Sequence, residues 1–211
     1  TAGRKANVDS MGLETIGCKL DSRGIPEFCL ETFKLKEKPH IFIVGDVSGQ
    51  RPILHEASDE GNIAGHNAVA ESHTPFKVRT PIEVTFSDPN IALIGQKHND
   101  LMNQGIKFSE GKVSFEGQGR SIVKLKEIGI LKVYGDTKTG KLLGAELFAP
   151  DGEHLAHLLS WVISMGMTVN QVLAMPFYHP VIEEGLKTAL RDLRDKVDEK
   201  QPPIEIYPFN S

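Results

Sequence analysis

Cysteine is scarce in this chain, and its two cysteines are not spaced for joint chemistry. Cys18 and Cys29 are further apart than the C-x-x-C spacing of redox and zinc-binding pairs, and two cysteines are too few for a disulfide framework. We therefore expect reduced structural thiols, which are typical of a cytoplasmic protein.

Long apolar runs and an excess of positive charge are also missing. No apolar stretch approaches the length of a bilayer span, and the first residues show no basic-then-apolar signal region. With 24 Lys and Arg against 28 Asp and Glu, the formal net charge is −4. This charge leaves no electrostatic footprint for nucleic acid or an anionic membrane, so we predict neither as a partner.

Two kinds of binding motif are absent as well. The glycine-rich fingerprint G-x-G-x-x-G does not occur, because residues 117–120 (GQGR) lack the third glycine and follow no predicted buried strand. His154 and His157 are three positions apart on a predicted helix, but no third ligand lies nearby in the sequence. We therefore predict no metal site.

The first part of the chain carries signals of α/β structure. Residues 41–44 (IFIV) form a continuous apolar run, which predicts a strand buried on both faces, as in a parallel sheet. Residues 54–70 contain recurring Gly and Ala and predict a helix packed closely against a sheet or ligand. Gly45 and Asp46 follow the strand, and a carboxylate there would lie where open α/β sheets bind ligands. A plain strand followed by a turn is the simpler alternative.

From about residue 79 the pattern changes to hairpins followed by helices. Residues 82–86 with 91–94, and 130–134 with 142–148, flank segments of turn residues and predict two hairpins. Apolar residues at helical spacing then predict two longer helices, through Leu155, Leu159 and Ile163 and through Ile182, Leu186, Leu190 and Leu193. Strands followed by helices indicate an α+β domain.

A histidine and two carboxylates stand at the start of the last predicted helix. Proline disfavours the α conformation in the residue before it, so His179 should lie just outside the helix, with Pro180 at the first helical position. An imidazole beside a carboxylate can be fixed in one tautomer and accept a proton. However, Glu183 and Glu184 could equally stabilise the helix start through its dipole, and geometry alone leaves both interpretations open.

The segment around His179 resembles the His-Pro-Thr-x-x-Glu signature of the pyridine-nucleotide disulfide oxidoreductases, with dihydrolipoamide dehydrogenase as the nearest type. The resemblance implies that His179 is the catalytic acid/base, that Glu184 orients it, and that Glu183 is not catalytic. It also implies a homodimer in which the histidine reaches across the interface to the partner's flavin and redox disulfide. Val181 departs from the family's threonine.

A second stretch, residues 32–61, resembles the family's motif T…P-x-I-[YF]-A-I-G-D followed by a-H-x-A-x-x-E-G. It implies that the Asp46 carboxylate accepts hydrogen bonds from the ribityl hydroxyls of FAD, and that the following helix points its positive end at the flavin. The cofactor-binding residues implied are Gly45, Asp46 and the backbone of His55, Glu56 and Ala57. Matches in the family's order extend from residue 3 to about residue 190.

The family's two G-x-G-x-x-G fingerprints and its C-x4-C redox pair do not occur in this chain. We therefore expect a C-terminal fragment of a longer enzyme. Residues 1–78 would be a partial α/β remnant of the NAD- and FAD-binding domains. Residues 79–211 would be the dimerisation (interface) domain, an antiparallel sheet flanked by helices.

The parent enzyme is expected to use FAD and NAD and a dithiol or disulfide substrate such as lipoamide. The fragment alone is expected to be inactive and to bind neither cofactor tightly. Two alternatives stay open: a non-catalytic dimerisation module, and a mercuric reductase-like or soluble transhydrogenase-like paralogue.

Overall fold

The computed structural model describes residues 5–9 and 11–206. The chain divides into two units, Thr1–Val78 and Arg79–Ser211. Residues 3 and 4, where the family resemblance begins, lie outside the described residues.

Most of the regular secondary structure belongs to the second unit. In order along the chain, the helices and strands are α1 (Leu54–Val69), β1 (Ile82–Thr85), β2 (Asn90–Gly95), α2 (His98–Asn103), β3 (Phe108–Ser114), α3 (Gly119–Lys124), β4 (Ile130–Asp136), β5 (Leu142–Ala149), α4 (Gly152–Ser164), α5 (Val169–Leu173) and α6 (Glu183–Arg194). Two short 3-10 helices, Leu13–Ile16 and Gly45–Ser48, precede α1.

The first unit consists of turns, isolated antiparallel bridges and the predicted helix α1. Its small apolar cluster contains Val8, Ile25, Leu35 and Ile43. A backbone hydrogen bond also stabilises the position of Leu35, since its N–H donates to Ile41 O at 2.8 Å. This unit is therefore held together by loop packing, not by a sheet.

The strand predicted at residues 41–44 does not form, and this prediction was wrong. Phe42 makes only an isolated antiparallel bridge with Lys34, and the Ile43 N–H donates to Phe33 O at 3.0 Å. A strand needs a ladder of hydrogen bonds to a neighbour, and within the described residues of this unit no parallel neighbour lies beside the segment. The apolar run correctly indicated burial at Ile43 but did not specify the pairing.

The second unit contains a five-stranded antiparallel sheet in the order β1-β2-β5-β4-β3. Both predicted hairpins are confirmed: β1 pairs with β2 and β4 pairs with β5. The α+β class with an antiparallel sheet and flanking helices is therefore confirmed. Strand β3 and the short helices α2 and α3 were not predicted.

The two faces of this sheet differ in polarity because successive side chains along a strand point to opposite sides. The apolar face, buried under the helices, includes Ala92, Ile94, Leu131, Val133, Ala145 and Leu147. The helices cover it with the leucines at helical spacing that the sequence predicted, including Leu155, Leu159, Leu186 and Leu190. The other face carries charged residues and an edge-to-face cluster of His98, Phe108 and Tyr134.

Helix α6 packs directly on the backbone of β3. A Cβ atom added at Gly111 would lie 2.3 Å from Ala189 O and 2.5 Å from Leu193 Cβ, so only glycine permits this approach. Glu184 lies in the first turn of the same helix, so the packing of α6 on β3 also places the Glu184 backbone.

Candidate functional site

His179 lies in the turn ahead of α6, and its side chain is 81% exposed. It is outside the helix, as expected, but α6 begins at Glu183 and not at Pro180, so the predicted helix start was wrong. The intervening residues form a tight turn in which the Glu184 N–H bonds to Val181 O at 3.4 Å. This turn places the histidine close to the first turn of the helix.

The imidazole of His179 and the carboxylate of Glu184 are in direct contact. Nδ1 of His179 lies 2.9 Å from Oε1 of Glu184, and Oε2 of the same carboxylate accepts the Val181 N–H at 3.2 Å. An ionised carboxylate only accepts hydrogen bonds, so Nδ1 is the donor and carries the proton. Nε2 is then the ring nitrogen that can accept a proton from another molecule.

These contacts keep the Glu184 carboxylate ionised. The hydrogen bond from His179 is the largest cause that lowers the pKa of Glu184 below its usual range, and the Val181 N–H and the charge of Lys187 lower it further. Partial burial acts in the opposite direction. An ionised Glu184 can orient the imidazole and stabilise its protonated form, but it does not supply a proton itself.

Exposed apolar surface adjoins this pair. A cleft of about 330 Å³ lies next to His179 and is lined by Leu158, Val162, Val172, Met175, Phe177 and Leu186, among others. Three large side chains are exposed on the segments that line this cleft: Trp161 (63%) and Met165 (79%), on and next to α4, and Tyr178 (80%), which lines the cleft itself. Large contiguous apolar patches on protein surfaces often mark interaction sites, which makes this surface a candidate for one.

Gly45 and Asp46 lie in the 3-10 helix Gly45–Ser48, not at the end of a strand. Gly45 has φ 71°, a left-handed conformation that glycine adopts without strain. Asp46 is exposed and borders a cleft of about 480 Å³, which Arg23 and Lys5 also line. Asp46, which is predicted to bind a cofactor, therefore borders a cleft large enough to receive part of a ligand.

The N-terminus of α1 has the remaining cofactor-binding candidates. Ile53 provides no side-chain cap, so the N–H groups of His55 and Glu56 precede the first bond of the helix. The Ala57 N–H is already used, because it donates to Ile53 O at 3.0 Å, which removes it from the predicted donors. The Glu56 side chain is buried and pairs with Arg51 at 3.4 Å, whereas His55 is exposed.

The sequence assigned no role to Glu60. In the structure its carboxylate bonds to the backbone at the start of the Gly45–Ser48 helix. Its Oε2 accepts the Gly45 N–H at 2.6 Å, and the side chain is buried. Burial is the largest cause that raises the pKa of Glu60, opposed by the Gly45 hydrogen bond and reinforced by the nearby Glu56 carboxylate. Glu60 and Gly61 match the E-G at the end of the family motif, and this match was the signal in the sequence that could have identified Glu60.

We expect Glu60→Ala to release the Gly45 amide. Gly45 is half-buried, and a typical hydrogen bond contributes about 0.5–1.5 kcal/mol, so amide hydrogen exchange at Gly45 should accelerate about two- to tenfold. NMR-detected exchange on the chain measures this, and Glu60→Gln is the matched control, since it keeps an oxygen acceptor and most of the protection. Equal exchange rates in Glu60→Ala and the unsubstituted chain would contradict the supporting role.

The histidine pair on α4 does not converge. His157 Nδ1 lies 2.8 Å from Glu153 O, and His154 Nε2 lies 3.8 Å from the Glu153 carboxylate. Within the described part of the chain, no group of three or more His, Cys, Asp or Glu side chains is arranged to hold a metal ion. Cys18 and Cys29 are both free thiols. None of the described helices has the length and apolarity that crossing a membrane requires.

The sequence matches a known family and its curated members. Residues 82–190 match the family model of the pyridine nucleotide-disulphide oxidoreductase dimerisation domain. Dihydrolipoyl dehydrogenase from Geobacillus stearothermophilus is 30% identical over 184 residues, which are 87% of this chain and 38% of that protein. Dihydrolipoyl dehydrogenase 3 from Haloarcula marismortui is 26% identical over 195 residues, or 92% of this chain and 40% of that protein. The chain therefore spans about 40% of the length of these relatives.

Solved structures share the fold. LpdA from Mycobacterium tuberculosis superposes with a TM-score of 0.76 at 22% identity, covering 90% of this chain and 41% of that one. RclA from Escherichia coli, an HOCl-induced flavoprotein disulfide reductase, superposes with a TM-score of 0.75 at 20% identity, covering 90% and 43%.

Proposed function

Since this chain belongs to the pyridine nucleotide-disulphide oxidoreductases, through their dimerisation domain, we propose that it supplies the acid/base pair and the subunit contact of a dihydrolipoamide dehydrogenase-type enzyme. The observation that carries the proposal is the exposed His179 imidazole, held by Glu184 at 2.9 Å beside an apolar surface. The complete enzyme would be a longer chain that transfers electrons between NAD and a dithiol such as dihydrolipoamide.

His179 would accept the proton of a substrate thiol at Nε2 and return it in the reverse direction. A thiolate, and not a thiol, attacks a disulfide efficiently, so a base that works near neutral pH is required. Glu184 would hold the imidazole in the Nδ1–H tautomer and stabilise the imidazolium that forms. Because the imidazole projects outward, its sulfur partner would come from a second subunit.

The first unit would hold part of an FAD molecule. Its fit rests on the exposed Asp46 carboxylate at the edge of a cleft and on the uncapped N-terminus of α1, where N–H groups favour a negatively charged ligand. When bound, FAD supplies the electron carrier between the nicotinamide and the disulfide. The chain without the rest of the enzyme is expected to bind neither FAD nor NAD tightly and to be inactive. A cytoplasmic location stays a prediction.

The apolar surface around Trp161 would form the homodimer interface. Trp side chains at the centre of an interface often contribute 2 kcal/mol or more to binding. We therefore expect Trp161→Glu to raise the dissociation constant of the dimer at least about tenfold, as measured by sedimentation velocity over a range of chain concentrations.

Met102→Glu is the matched control for this experiment. Met102 is 60% exposed, close to the 63% of Trp161, but it lies on α2, whose His98 N–H bonds to Glu146 on the polar face of the sheet. The control should leave the dissociation constant unchanged. A monomeric unsubstituted chain, or an equal loss in both variants, would contradict a dimer interface at Trp161. Dihydrolipoamide oxidation with NAD, measured on the full-length protein that carries this chain, tests the activity.

A further inference from the structure

The segment that follows α6 folds back and returns a carboxylate to that helix. Oε1 and Oε2 of Glu205 accept hydrogen bonds from Arg191 Nε at 2.8 Å and Nη2 at 2.7 Å, and Oε1 also accepts one from Arg194 Nη1 at 2.8 Å. The hydrogen bond from Arg191 is the largest cause that lowers the pKa of Glu205 to about 2. Glu205 is therefore a fixed negative charge on the surface of α6.

A third cation, Lys187, also faces Glu205. Its Nζ lies 3.5 Å from Glu205 Oε2 and 5.4 Å from the centroid of the Phe177 ring, over which it is placed. Phe177 belongs to the segment that leads into His179. Lys187 is thus held between the C-terminal segment and the loop that carries the histidine.

The position of Lys187 in the sequence favours an ion pair with Glu183 or Glu184 instead of Glu205. Lys187 follows Glu184 by three positions and Glu183 by four, and acidic and basic residues at these spacings on a helix attract one another. In the structure, however, Glu184 uses one oxygen for His179 and the other for Val181. Among the described residues, the one ion pair of Lys187 is with Glu205.

We propose that Glu205 is a positioning residue for the acid/base pair, because it takes the ion pair of Lys187 and leaves the two oxygens of Glu184 to His179 and the Val181 N–H. The inference rests on the acid/base role proposed for His179. Among the described residues, the titratable groups that act on Glu184 are His179 from the preceding turn and Lys187 from α6. Glu183 is its neighbour in the chain, and Glu205 from the C-terminal segment pairs with Lys187.

Loss of the Glu205 charge frees Lys187 to compete with His179 for the Glu184 carboxylate. A helix pair at this spacing shifts an equilibrium by about twofold, and Glu183 would capture part of the freed lysine. An imidazole that loses its carboxylate acceptor is no longer confined to the Nδ1–H tautomer. Glu205→Gln should therefore increase the population of the Nε2–H tautomer of His179 by up to about twofold.

The tautomer is measured by NMR on the 211-residue chain labelled with 15N-histidine, at a pH where the imidazole is neutral. A spectrum of His179→Gln identifies the signals of this histidine among the eight in the chain. We expect mainly Nδ1–H in the unsubstituted chain, a shift towards Nε2–H in Glu205→Gln, and a return to Nδ1–H in Glu205→Gln/Lys187→Gln. Glu110→Gln, which breaks the 3.1 Å pair with Lys132 in the same unit, should change nothing.

The outcomes separate the two proposals. An unchanged tautomer in a folded Glu205→Gln chain, or a double variant that fails to restore it, would overturn the positioning role. A predominantly Nε2–H tautomer in the unsubstituted chain would instead overturn the acid/base pair itself. Should Glu205→Gln fail to fold, Glu205→Asp serves in its place: it keeps the charge but withdraws the carboxylate from Lys187 by one methylene, and the same shift is expected.

Discussion

Replacing His179 by glutamine is expected to lower kcat for dihydrolipoamide oxidation by about 10²- to 10⁴-fold in a full-length enzyme that carries this chain. Glutamine has nearly the same reach but no titratable nitrogen, so it accepts no proton from the substrate thiol. Because His179 is 81% exposed and supports no part of the core, the variant should keep the stability of the unsubstituted protein. The measurement is steady-state NAD reduction with dihydrolipoamide, together with thermal unfolding.

The neighbouring carboxylates provide the matched comparison for this prediction. Glu184 satisfies two donors, His179 Nδ1 and the Val181 N–H, with its two oxygens. A glutamine at 184 has a single oxygen, so it loses one bond to a charged acceptor, and kcat should fall about 10- to 100-fold. Glu183→Gln changes the same charge one position away and should stay within about twofold. Equal losses in the two variants would indicate a helix-dipole effect in place of an acid/base pair.

The family resemblance predicted the contact between His179 and Glu184, and the contact itself is local because both residues lie close to the same helix start. A five-residue spacing across a helix start depends on local geometry, and the error in the helix boundary did not alter it. The two supporting carboxylates escaped prediction for the opposite reason. Glu60 reaches Gly45 across 15 positions, and Glu205 reaches Lys187 through a segment with no periodic pattern. Tertiary packing alone brings these groups together.

The apolar pattern predicted strands β1, β2, β4 and β5 but did not predict β3. The two hairpins were predicted from the turn residues between their apolar strands, and in the structure the core face of these strands carries an apolar residue at most alternate positions. On β3 the core-facing positions are Ser109, Gly111 and Val113, and the outward ones include Phe108 and Lys112. This strand was missed because its buried face is made of small residues, which α6 requires in order to approach.

The close approach of α6 to β3 makes the stability of the second unit sensitive to substitution of Gly111. Gly111→Ala is expected to destabilise the second unit by about 1–3 kcal/mol, because overpacking a tight contact forces the backbone to move. The added Cβ would lie 2.3 Å from Ala189 O and 2.5 Å from the backbone N and the Cβ of Leu193. Two of these three atoms are backbone atoms of α6, so no flexible side chain is available to yield, and the whole helix must shift.

Urea unfolding followed by the fluorescence of Trp161, the single tryptophan, measures this effect in the second unit. Gly119→Ala is the control, because a Cβ atom there meets nothing within 4 Å and the residue begins helix α3. The control should be neutral or slightly stabilising. Since α6 also carries Glu184, Gly111→Ala should in addition weaken the hydrogen bond between Glu184 and His179. The 15N signals of the two His179 tautomers measure this change. A midpoint equal to that of the unsubstituted chain would show that α6 does not rest on the β3 backbone.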